Sequence, residues 1–195
     1  MPIRLSEVHP SVVHFPIALL PVAMGADALG LVTGSRDLHA VGRIGIGLAA
    51  ASAAVAGVFG LIAQEEVRID DRTRPILQTH RTLNVAALGV VTALAVARAS
   101  MKRPGVGYLL AGLAAIGTVS YSAYLGAKLV YSHGVAVEEA HGIAGADPDL
   151  VRSPRSTLAL AARDLANGVV HAAKDMARGV LVPTLTNGVN GSGRH

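Results

Sequence analysis

The chain carries eight histidines and no cysteine, and that pairing limits its chemistry. Neutral imidazole ligates haem iron and other metals and exchanges protons near neutrality. Without thiols there are no disulfides, no cysteine-held iron–sulfur cluster and no c-type haem attached through C-x-x-C-H. His9, His14, His39, His80, His133 and His141 border or enter long apolar stretches, and Asp27 stands well inside one. An ionisable group at such a depth is costly and needs a partner or a proton; Arg43 is the cation expected to pair with it. Glu65, Glu66, Asp70 and Asp71 lie among Arg68, Arg72 and Arg74. A solvated mixed-charge loop is the default there, with a carboxylate–histidine metal site as the alternative.

The elements that must position these groups are long helices. Only 15% of the 195 residues are charged, about half are hydrophobic, and the mean hydropathy is +0.48. A span needs roughly 20 mostly apolar residues, which places four of them near 12–33, 41–63, 75–97 and 106–131. The first is not read as a cleaved signal peptide, because no basic region precedes it and no cleavage site follows. Pro16 and Pro21 fall early in it, and Pro21 is expected to kink its first turns. The third span looks short unless extended back to Pro75, a good first helical residue; the extension carries His80 into the helix with Asn84 one turn on. In the second, Gly45, Ala49, Ser52, Ala56 and Gly60 make one face nearly bare backbone. The fourth bears a stripe of Tyr121, Tyr124, Lys128 and Tyr131, expected to pack at the interface.

These features predict an all-α integral membrane protein, an up-down four-helix bundle over residues 1–137. A linker follows over 138–155, then an amphipathic helix over 156–182 and a disordered tail over 183–195. The helix gathers Leu158, Ala162, Leu165, Val169, Ala172 and Met176 on one side and Arg163, Asn167, His171, Lys174 and Arg178 on the other. Such a helix fits a membrane surface or a partner, and deleting residues 150–195 should leave insertion unchanged. An antiparallel bundle puts His9, His14, His80, His133 and His141 at one membrane face and His39 at the other. Charge does not decide the orientation, since cations are divided between the two faces.

The run from His9-Pro10 through Val13-His14-Phe15-Pro16, with Asp27, His80, Asn84 and the closing Tyr131-Ser132-His133-Gly134-Val135, resembles the bacterial membrane domain called domain of unknown function 2231. The resemblance covers roughly residues 5–137. It implies a four-span bundle in the bacterial cytoplasmic (inner) membrane and, through relatives joined to Rieske iron–sulfur domains, a link with electron transfer. The chain departs from the family pattern in two places. Gln64-Glu65-Glu66 stands where a Gly-x-x-Asp ending is usual, and Gly126-Ala127-Lys128 replaces a Gly-Gly-Glu approach to the final histidine.

The chemistry these residues suggest is a b-type haem held by two histidines of different helices. His14 and His80 are the expected iron ligands, with His133 as alternate ligand or propionate partner and Asn84 beside His80. Gly45, Ala49, Ala56 and Gly60 would leave room for the ring, and Arg81 or Arg74 would pair with propionates. His9 and His141 are expected to be merely solvated. Electrons would pass to a membrane quinone or a partner redox protein, with no bond-making catalysis by the chain itself. Rival readings are a cofactor-free accessory subunit, docked onto a larger membrane complex through the C-terminal helix, and a small metal or ion permease. The bland alternative is a set of boundary histidines bonded to headgroups or carbonyls. With no Lys/Arg block and few aromatics, nucleic acid is not an expected partner.

Overall fold

In the computed structural model the described residues are 5–136 and 153–178. The expected linker, the disordered tail and His141 therefore fall largely or wholly outside them. The described residues form six helices: α1 (Leu5–Val12), α2 (His14–Thr33), α3 (Arg36–Glu66), α4 (Arg74–Ser100), α5 (Val106–His133) and α6 (Pro154–Ala177). Four stretches are long and apolar enough to cross a membrane: Val8–Thr33, Arg36–Glu66, Arg74–Ser100 and Val106–His133. The third does begin beside Pro75, as its extension requires.

Local signals explain the element boundaries. The first span breaks at Val13, whereas α2 continues through Pro21. Pro16 has no N–H to offer the Val12 carbonyl four residues back, so the break comes from that proline and not from Pro21. Gly34 ends α2 in the left-handed conformation (φ 72°), returning its N–H to Gly30 O at 2.9 Å. Ser35 then caps α3, its Oγ accepting from Leu38 N. At the far end Gly134 (φ 62°) closes α5, and the N–H groups of Gly134 and Val135 return to Val130 O and Leu129 O. Val135 is buried against Ile76, Leu125 and Leu129, so the His133-Gly134-Val135 ending works as a helix stop.

The bundle is square, with α2 against α3, α3 against α4, α4 against α5 and α5 against α2. Spans one and three are diagonal. Leu20, Ala23, Met24, Ile46, Ala49 and Val91 form its centre with neighbouring residues of α4 and α5. The outer surface is apolar: Val32 is 85% exposed, Leu113 64% and Ile44 63%. Only hydrocarbon makes such a surface favourable. The molecule is an integral membrane four-helix bundle, with α1 packed on α3 and α6 packed on α3 and α4.

Candidate functional site

His80 sits a turn and a half into α4 and turns toward α5. Its Nδ1 lies 2.8 Å from Ser122 O and 3.0 Å from Ser122 Oγ, and Asn84 Nδ2 is 3.0 Å from its Nε2. A carbonyl only accepts, so Nδ1 carries the proton and Nε2 accepts from the Asn84 amide. Ser122 Oγ also stands 3.0 Å from Asn84 Oδ1. The approach depends on Gly126: a β-carbon there would come within 3.0 Å of the imidazole.

His9 repeats this arrangement on α3. Its Nδ1 lies 2.9 Å from Ala56 O, and a β-carbon on Gly60 would meet its ring at 2.8 Å. It is half-buried and within electrostatic range of His80, so the expectation that it is merely solvated is corrected. The signal for this was present in the sequence: the glycine on the bare face of α3 is where the imidazole lies. The partnership of Ser122 with His80 was not foreseen.

The other expected site residues are dispersed. His14 is exposed at the start of α2, and no hydrogen bond joins it to His80. His133 is exposed at the end of α5, within electrostatic range of Asp70. Gly45 meets Ala23, with 3.0 Å between its would-be β-carbon and that of Ala23. The bare face of α3 is thus filled by α1 and α2 and not left open for a ring. Arg81 is bonded to Asp175 of α6 and to Gln64, so it is not free for a propionate. Arg74 is exposed and faces Asp71 at 3.7 Å.

The acidic loop holds no metal cluster: among the described residues no three His, Cys, Asp or Glu side chains converge. Asp70 accepts from Thr73 N at 2.7 Å, preparing the start of α4. Hydrogen bonds from the Thr73 hydroxyl and backbone N–H hold its carboxyl below the usual carboxylate range. Glu65 Oε1 meets His171 Nδ1 at 2.8 Å.

A second polar cluster lies at the opposite face. Asp27, fully buried, receives Arg98 Nε and Nη2 at 2.8 and 2.7 Å. Arg98 also donates to His39 O and Met101 O, and His39 Nδ1 stands 3.4 Å from Asp27 Oδ1. The carboxylate's partner is therefore Arg98; Arg43 is exposed. Gly42 leaves space for the carboxylate and Gly30 for His39. The bidentate geometry and the two extra carbonyls satisfy the guanidinium, which is what lets a buried pair persist.

Among known proteins, the family described as "Predicted membrane protein (DUF2231)" matches residues 6–139. The match spans most of the chain, and the chain belongs to that family. No curated protein and no solved structure matches it.

Proposed function

We propose that this member of the DUF2231 family is an electron-transfer subunit of the bacterial cytoplasmic membrane that holds b-type haem through Nε2 of His80 and Nε2 of His9. One observation carries the reading. Two imidazoles on separate helices lie within electrostatic range, each with Nδ1–H committed to a helix carbonyl. That bond fixes the tautomer and leaves Nε2 as the lone-pair nitrogen, the arrangement of metal-bound histidines, with Nε2 of His80 engaged by Asn84. His9 takes the place that the sequence offered to His14.

Haem bound there would supply a one-electron couple, and would need α1 to shift from its seat on Gly60, since the chain's own side chains fill the bare face of α3. The chain's residues would do the rest: Ala56 O and Ser122 O orient the rings, and Nε2 of His80, now held by Asn84, would have to be released to hold the iron. The lipid-facing bundle limits water. His14 and His133, exposed at the rim, face the side from which a quinone or a redox protein would approach.

The test is a reduced-minus-oxidised spectrum of the purified protein. Soret and alpha bands are expected, lost in His80→Ala and His9→Ala and kept in His14→Ala. Bands that vanish with His14→Ala and survive His9→Ala return the ligand to α2. A folded, colourless protein removes the haem. The glycine seats favour a second reading, a cofactor-free accessory subunit, because Gly45 and Gly60 are filled by the chain's own side chains. That reading predicts the colourless result.

A further inference from the structure

The sequence gives α6 two faces, and the structure adds a third. Thr157, Ala161, Asp164, Gly168, Ala172 and Asp175 are buried along one stripe that seats the helix on the bundle. A β-carbon on Gly168 would stand 2.5 Å from the Leu61 carbonyl, so the α6 and α3 backbones nearly touch. Asp175 is held by Arg81 and, at 3.4 Å, by Gln78. Ala161 packs with Ile62 and Phe59 of α3, Gly168 meets Leu61 and Gln64, and Asp175 reaches α4. From Ala161 to Asp175 the helix advances roughly 21 Å at 1.5 Å per residue. Its partners on α3 stay within about two turns, so α6 lies across the ends of α3 and α4 and does not run alongside them.

This seat sorts the remaining side chains. At 3.6 residues per turn, Leu158, Val169 and Met176 fall about a quarter-turn to one side of the docking stripe. They are 61%, 51% and 49% exposed. Arg178 falls about a quarter-turn to the other side, and Lys174 and Arg163 about a third of a turn or slightly more, all exposed. Both acids of the helix, Asp164 and Asp175, are in the docking stripe and buried. The outward surface is therefore apolar on one flank and cationic on the other.

We infer that α6 is an interfacial helix bound to the anionic phosphate headgroups of the same bilayer, on its cytoplasmic leaflet. The apolar flank belongs to a helix seated on α3, whose own surface one to two turns before that seat is apolar and exposed at Val55 and Val58 (48% and 41%). The cationic flank meets phosphates, as in amphipathic surface helices. The seat also settles the division of charge between the two faces. Arg155, Arg163, Lys174 and Arg178 join Arg68, Arg72 and Arg74 at the histidine face. The opposite face keeps Arg36, Arg43, Lys102 and Arg103, because Arg98 is consumed by Asp27. Cations gather on the cytoplasmic side of membrane proteins.

The chain has no cysteine, so single cysteines can be placed at will. Spin labels at Leu158→Cys, Val169→Cys and Met176→Cys, in full-length protein reconstituted into phosphatidylglycerol-containing nanodiscs, are expected to be reached by oxygen and shielded from a water-soluble nickel quencher. A label at Lys174→Cys is expected to show the reverse. Replacing phosphatidylglycerol with phosphatidylcholine, or combining Arg163→Gln with Arg178→Gln, should lower immersion. Apolar-flank labels open to nickel overturn the inference, and so do labels shielded from both reagents whatever the lipid, which would mean a protein covers the flank. In cells, a membrane-impermeant maleimide is expected to label Lys102→Cys and not Arg72→Cys. The opposite pattern overturns the leaflet assignment.

Discussion

Asp27 and Arg98 are 1% or less exposed, and each is the other's charge partner. The pair holds because each oxygen of the carboxylate receives a guanidinium N–H and two further donors reach backbone carbonyls. Removing one partner leaves the other charge unanswered, a loss on the order of 3–5 kcal/mol. Asp27→Ala is therefore expected to lower the midpoint of thermal or detergent unfolding far more than Arg43→Ala, whose side chain is exposed. Equal effects would mean that the pair does not support the bundle. Asp27 was legible in the sequence as a residue needing a partner; its partner was not. Arg98 lies 71 residues away and reads as one more cation at a span end, and only the reach of its side chain from α4 to Asp27 of α2 and His39 O of α3 reveals it as buried. The same holds for His9, whose type was informative while its burial depended on a glycine of another helix.

At the scale of elements, the boundaries follow caps and prolines that any reader of the sequence can weigh. Pro75 marks the start of α4 where it is expected, whereas Ser35 and Gly134 set ends that lie outside the expected limits of 41 and 131. The break at Val13 and the docking face of α6 were hidden, the first because three prolines competed for the kink. The second was hidden because Thr, Asp and Gly at helical spacing look like solvent face until a neighbour covers them. Replacing Gly168 with Leu is expected to lift α6 from α3, raising amide exchange in 154–177 while the spans stay protected. Unchanged exchange would refute the close approach. The turn before α4 responds to pH. Because the folded-state pKa of Asp70 is depressed, its contribution is present above the ordinary carboxylate value and is lost as pH falls through the lower folded value. Amide exchange at the α4 start should therefore accelerate in acid in the native chain. Asp70→Asn, which titrates nothing, should abolish that acid dependence.

Over the whole molecule, four apolar lengths and short connections were enough to give the antiparallel bundle, since lipid admits few alternatives. The square arrangement has a direct bearing on the site. Helices α2 and α4 are diagonal, and His9 of α1, resting on α3 beside α4, lies within electrostatic range of His80. A chain ending after Ala136 is expected to insert and hold its four spans, because the central core contains no residue of α6; failure of that fragment to insert would make α6 part of the bundle. Four polar groups within the bundle each have their own glycine: Gly60 beneath His9, Gly126 beneath His80, Gly30 beneath His39 and Gly42 beneath Asp27. These are interlocked pairs from different helices or helix turns, and neither member is free to change alone. Gly60→Ala should expel an imidazole, whereas the same alanine in a His9→Ala background should be tolerated and partly fill the hole. Lineages that have lost the histidine are released from keeping the glycine, and the two positions are expected to drift together.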